Sequence, residues 1–228
     1  MTRILALDTS GDICSVAVFD GDRLLTEYRF RHERRLSERL PAAVEFVLRD
    51  AGATLQGIDA FAVGLGPGSF TGVRVGVTTA KVWAMALEKP IVGVSSLDAR
   101  AAGVPGLPVS GGIAAVAPTR RHEVVAAFYR FGQVVPVAPP AVVRNESLVS
   151  LAREWLSLAP DAPLILCGEA VPAVLAETSE PARAAVSAAE AAPSAALVAR
   201  LAAARLARGE SDTTDSLVPL YVTPSPVG

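Results

Sequence analysis

The segment Gly66-Pro67-Gly68-Ser69-Phe70-Thr71-Gly72-Val73-Arg74-Val75-Gly76 constrains the fold more than any other stretch of this chain. An apolar run, residues 58–65, leads into it, and residues 73–87 continue from it with helical character until Pro90 stops them. A strand that turns through glycines into a helix belongs to a sheet with helices laid on it. The glycines admit two readings. Backbone amides facing outward before a helix can hold an anion, with Ser69 or Thr71 capping the helix and Arg74 adding a charge in its first turn. The alternative is a tight strand-to-helix turn and nothing more. The segment lacks the Gly-Lys-Ser/Thr ending of a Walker loop and is not the dinucleotide pattern.

The preceding chain fits the same plan. Residues 4–7 form an apolar run that ends at Asp8-Thr9-Ser10-Gly11. Residues 13–19 end in Asp20-Gly21-Asp22, a hairpin signal because these residues tolerate positive φ, and residues 23–30 complete a meander. From Leu36 the period changes. Leu36, Leu40, Val44, Val47 and Leu48 share one helical face, with Glu45, Arg49 and Asp50 outside it. Ser37 is a fitting N-cap, Pro41 falls in the opening turn, and Gly52 can close the helix. Another strand, residues 91–94, follows the second helix. Hairpin, strand, helix, strand, helix and strand is the order of a ribonuclease-H-like unit.

The stretch Gly103-Val104-Pro105-Gly106-Leu107-Pro108 is rich in turn formers and marks a domain boundary, giving domains 1–104 and 105–228. In the second, residues 113–116, 123–131, 134–137 and 164–167 read as strands and 148–158 as a helix. Residues 170–207 are alanine-rich, helical in pieces, and broken at Pro172, Pro181 and Pro193. No short fixed repeat is visible.

Of the 228 residues, 51% are hydrophobic and 19% charged, the composition of a globular chain. No apolar run reaches the roughly 20 residues of a membrane span, and the N-terminus lacks a signal-peptide plan, so a cytoplasmic location is expected. Cys14 and Cys167 lie in apolar runs without metal or redox spacing, and read as buried thiols. Lysine and arginine total 21 against 23 acidic residues, so no overall positive field draws the chain onto nucleic acid. The one basic cluster, Arg29, Arg31, His32, Arg34, Arg35 and Arg39, could touch phosphate, but reads better as a solvated arginine-rich edge.

Asp8, Thr9 and Ser10 stand at a strand end where nucleotide-binding sheets display phosphate or metal contacts. With Gly66, Gly68, Ser69, Thr71, Gly72 and Arg74 they form the candidate phosphate-proximal set. Asp8 has no evident carboxylate partner, and the histidines, His32 and His122, form no metal pair, so no catalytic residue and no metal site is assigned. Gly72, Gly76, Ala80 and Ala84 make a small-residue stripe, beside which run Val73, Val77, Lys81 and Met85. These faces pack on the chain's own sheet, or form a subunit interface with Leu36, Leu40, Val44 and Val47.

Three motifs in this order, Ile4-Leu5-Ala6-Leu7-Asp8-Thr9-Ser10, the 66–76 segment and Gly93-Val94-Ser95-Ser96-Leu97, resemble those of the TsaB (YeaZ) family. The resemblance implies an α/β fold of two ribonuclease-H-like domains, like sugar kinases, actin and heat-shock chaperones. The first domain would bind the partner and the second would be smaller and degenerate. It implies a non-catalytic scaffold that pairs with TsaD, with TsaE joining, for threonylcarbamoyl transfer to adenosine beside the tRNA anticodon. ATP or ADP and a metal ion would sit on the partner subunits, and tRNA would be met through the complex. The interface would use both first-domain helices, and a homodimer could form through them when the chain is alone. The family's Asp-Ala-Arg reads Pro118-Thr119-Arg120 here, and its Tyr-Leu-Arg reads Tyr221-Val222-Thr223, so no role is carried to those positions. The rivals are a stand-alone small-molecule kinase or ATPase of the same fold, and a peptidase.

Overall fold

The computed structural model describes residues 2–33, 35–104, 110–189 and 192–222. Arg34, the 105–108 part of the expected boundary, and Thr223 lie outside the described residues. The chain divides into two units, one of residues 1–99 and 193–220, the other of residues 100–192 and 221–228.

The first unit is built on a five-stranded sheet of order β3-β2-β1-β4-β5. Its strands are β1 (Arg3–Asp8), β2 (Ile13–Asp20), β3 (Arg23–Arg31), β4 (Ala60–Gly64) and β5 (Ile91–Val94). The hairpin strands pair antiparallel, and β1, β4 and β5 run parallel. Both faces are covered. Leu5, Leu7, Val16 and Val18 pack with α1 (Leu36–Asp50) and α2 (Phe70–Leu87). Ile4, Ala6, Ala17 and Phe19 point the other way, onto the late helix Ala195–Ala207. A strand buried on both faces has no polar alternate positions, which is why residues 4–7 read as an unbroken apolar run.

That late helix corrects the expected boundary. A second domain of residues 105–228 would own it, but its buried residues Ala195, Val198, Ala199 and Ala202 complete the first core. Alanines let the helix lie close to the sheet, and the sheet's second face would otherwise be bare.

The junction that receives it is polar. Glu27 of β3 accepts from Ser15 Oγ at 2.8 Å, Ser194 Oγ at 2.8 Å, Ala196 N at 3.2 Å and Arg29 Nη2 at 2.9 Å. Ser194 also caps the helix, accepting from Leu197 N. Burial pushes the Glu27 carboxyl up, but the donors, Ser15 first, together hold it below the ordinary glutamate value. A depressed carboxyl contributes stability that is complete above the unfolded value and is lost as pH falls through the folded one. Glu27→Gln is therefore expected to destabilise the protein by about 2 kcal/mol at neutral pH. In urea denaturation the gap to wild type should narrow as pH drops below the glutamate range, and a gap independent of pH would refute this assignment.

The chain passes between units along α3 (Ser96–Ala102). The second unit repeats the plan with order β10-β9-β6-β7-β8, from β6 (Gly112–Pro118), β7 (Glu123–Arg130), β8 (Ala141–Arg144), β9 (Leu164–Cys167) and β10 (Val186–Ala189). In each unit a three-strand antiparallel meander is extended by two parallel strands on the side of its first strand. α4 (Leu148–Leu156) and α5 (Val171–Glu177) share a core with this sheet. A short α6 (Glu180–Ala184) precedes β10, and Ala195–Ala207 is α7.

Two expectations fail here. Residues 134–137 are not a strand; Val134 and Val135 are exposed, and the third strand of the meander is instead β8. Pro136, Pro139 and Pro140 supply no ladder donors, so apart from the single bond from Val137 N to Phe128 O the ladder with β7 waits until residue 141. In the alanine-rich tract β10 was not foreseen; its alanines and serine have weak strand preference, and its pairing with β9 decides the outcome.

Candidate functional site

Residues 8–10 and 66–76 are brought together, as the sequence suggested, but they close on each other. Ser69 N donates to Ser10 O at 2.7 Å, Gly66 N to Ser96 Oγ at 3.2 Å, Gly72 N to Ser69 Oγ at 3.2 Å and Val73 N to Ser69 O at 2.9 Å. Thr9 Oγ1 donates to Gly72 O at 2.8 Å. A Cβ on Gly68 would stand 2.1 Å from Ser10 O, and one on Gly72 would stand 2.2 Å from Thr9 O. These glycines are present so that two backbones can touch.

Much of the expected phosphate-proximal set thus serves as a packing joint. The amides of Gly66, Ser69, Gly72 and Val73 are spent within the protein, and Asp8, Thr9 and Ser10 are buried. Asp8 Oδ1 accepts from Ser10 N, while Asp8 Oδ2 is buried without a hydrogen-bond partner among the described residues. Of the remaining candidates, Ser69 is the N-cap of α2, Thr71 is exposed, and Arg74 is exposed with its guanidinium 3.7 Å above the Phe70 ring. Cys14 and Cys167 are both buried; burial, opposed in part by Arg100, pushes the Cys167 thiol up to about 12.

The expected interface residues separate. Leu36, Leu40, Val44, Val47, Val73 and Val77 are all buried in the first unit's own core, and so are Gly72, Gly76, Ala80 and Ala84 of the small stripe. Lys81 is half-buried and donates to Leu217 O at 3.3 Å. Of the eight, Met85 alone is largely exposed, at 63%. The strongest apolar stripe on each helix goes to the core because that burial holds the unit together.

What stays outside is a second apolar surface. On α2, Phe70, Val82 and Met85 are exposed at 56%, 54% and 63%, and on α1 Phe46 is exposed at 49%. Between the helices runs a groove of about 430 Å³ with Leu40, Pro41, Val44, Leu48, Val75 and Trp83 along it. Leu40 and Val44 are its floor rather than its rim. Sequence reasoning missed Phe46, Val75, Val82 and Trp83. The available signal was that α2 carries apolar residues on every side, more than a one-faced surface helix needs.

The sequence profile of TsaD, tRNA N6-adenosine threonylcarbamoyltransferase, matches residues 31–224. The tRNA threonylcarbamoyladenosine biosynthesis protein TsaB of Bacillus subtilis is 35% identical over 169 residues, covering 72% of this chain and 70% of that one. The chain belongs to the TsaB family. The Escherichia coli TsaB is 32% identical over 164 residues, covering 68% of this chain and 70% of its own. The solved YeaZ from Pseudomonas aeruginosa superposes with a TM-score of 0.81 at 28% identity, over 97% of this chain and all of that one. The TsaB fold is that of two ribonuclease-H-like units of the sugar kinase, actin and heat-shock chaperone superfamily, as the two matching sheets require. No described helix is long and apolar enough to cross a membrane.

Proposed function

We propose that this TsaB chain is a non-catalytic scaffold and activator that pairs with TsaD, with TsaE joining, for threonylcarbamoyl transfer to adenosine beside the tRNA anticodon. The observation that carries the reading is the contrast between its two candidate sites. The 8–10 and 66–76 segments, where a kinase of this fold would need open donors, are packed backbone to backbone. The α1–α2 face keeps an apolar groove and exposed Val82 and Met85 that the chain's own core does not use. Such a face fits a protein partner. The chemistry, with ATP or ADP and a metal ion, then belongs to the partner subunits, and an isolated chain has the same face free for a second copy.

The test is reconstitution of the tRNA modification from purified subunits with and without this chain. Loss of threonylcarbamoyladenosine without it is expected. Undiminished product overturns the proposal, and ATP turnover by the pure chain, abolished in Asp8→Ala, would favour a stand-alone kinase or ATPase instead.

A further inference from the structure

The basic cluster that stands out in the sequence is largely self-contained. Arg29 pairs with Glu27, Arg31 with Asp12 and Arg35 with Glu38, while Arg39 lies over the Phe30 ring and donates to Arg31 O. Free guanidinium groups occur elsewhere. On the turn between β6 and β7, Arg120 and Arg121 are consecutive and exposed; Arg120 O accepts from Glu123 N at 3.2 Å, the charge of Arg121 acts on Glu177, and neither guanidinium is seen in a hydrogen bond or salt bridge with a described residue.

That turn is built rather than loose. The next residue, His122, is held at φ 66, a left-handed conformation uncommon for a residue with a side chain. Its Nδ1 lies 3.0 Å from Glu177 Oε2, and the other oxygen, Glu177 Oε1, accepts from Asn145 Nδ2 at 3.0 Å. Asn145 is 2% exposed, and its own N donates to His122 O at 3.0 Å. His122 and Asn145 occupy both oxygens of Glu177, on which the charge of Arg121 also acts, and Glu146 is occupied by Arg144 at 3.2 Å, which leaves Glu123 as the remaining carboxylate at this end of β7 and β8 among the described residues. The turn joins the antiparallel pair β6 and β7 at the C-terminal end of β6, which also runs parallel to β9, and it is at the C-terminal ends of parallel strands that open α/β sheets take ligands.

We infer that the β6–β7 turn contacts the phosphodiester backbone of RNA, with Arg120 and Arg121 as the contacting charges and Asn145 and Glu177 as the residues that fix the turn. Two adjacent guanidinium forks on a fixed turn suit successive phosphates. RNA is chosen over other polyanions because the relatives are named for a tRNA modification. The inference to that extent rests on the function proposed above, but it assigns this chain a direct contact that the partner reading does not require.

The experiment is a fluorescence-anisotropy titration of labelled bulk tRNA with the isolated full chain at several salt concentrations. Arg120→Ala with Arg121→Ala should weaken binding about tenfold at low salt and reduce the slope of log affinity against log salt by about 2. Lysines at both positions keep the charge and should keep the slope. Arg35→Ala with Arg49→Ala removes the same charge from paired sites and should change little. An absence of tRNA binding by wild type, an equal loss in the paired-site control, or binding to phosphatidylglycerol vesicles in place of tRNA each overturns the inference. Because product formation is not measured, the contact and the scaffold reading can fail independently.

Discussion

Gly72→Ala is expected to cost the protein about 4 kcal/mol or more, enough to leave little folded chain at 37 °C. The added methyl carbon would stand 2.2 Å from Thr9 O, a backbone atom at the end of β1 that cannot swing away. Relief needs α2 to lift from the sheet, and with it Val73, Val77, Ala80 and Ala84 leave the core. Gly76→Ala makes the informative comparison. There the new carbon meets Thr9 Oγ1 at 2.2 Å, but the threonine Cβ only at 3.3 Å. Thr9→Ala should therefore restore much of the stability lost in Gly76→Ala and none of that lost in Gly72→Ala. Thermal melts of the four variants check this. If Gly72→Ala melts like wild type, the joint is looser than the geometry requires and the phosphate reading of the turn regains ground.

Val82→Asp together with Met85→Asp should abolish co-purification with TsaD, with a loss in affinity of about a hundredfold or more, while the fold persists. Both side chains are more than half exposed, so two carboxylates there remain hydrated in the free chain and must be stripped of water only on docking. Leu40→Asp with Val44→Asp would also remove the complex, but for another reason. At 2% and 5% exposure those residues are core, and the expected result is an unfolded first unit. Circular dichroism separates the two cases. Wild-type binding by the Val82 and Met85 pair would place the partner surface elsewhere.

Much of the first unit could be read from the sequence because local signals agree with the fold. The Asp20-Gly21 turn, the change of period at Leu36 and the glycine turn before α2 each announce one element. Ser69 does cap α2, as expected. The cap expected at Ser37 is absent; α1 starts at Leu36, its N-cap position is Arg35 with no side-chain bond, and Pro41 lies inside the helix. In the second unit β10 could not be read, because an alanine-serine strand is specified by its neighbour rather than by itself. The duplicated sheet order was reached through the family resemblance and not through the pattern of the second unit's residues, since topology is preserved by pairing and needs no shared residues.

The site was legible as a location, and its glycines turned out to serve backbone packing. A glycine that admits an anion and a glycine that admits another backbone look alike in sequence, and only the position of Ser10 and Thr9 distinguishes them. The interface reading failed for a related reason. Periodicity finds the most apolar helical face, which the chain's own sheet takes first, whereas the apolar side chains that stay exposed, Phe46, Val82 and Met85, belong to weaker faces.

The late return of α7 bears on how the protein is made. During synthesis the ribosome delivers all five strands of the first sheet by Val94, yet the helix that covers the sheet's second face ends at Ala207. For more than a hundred residues of translation, Ile4, Ala6, Ala17 and Phe19 have no native cover, while the second unit is already being assembled behind them. The first sheet thus cannot mature until a helix more than a hundred residues downstream of its last strand has been made, and a nascent chain stalled in that interval would present a sticky apolar face to chaperones.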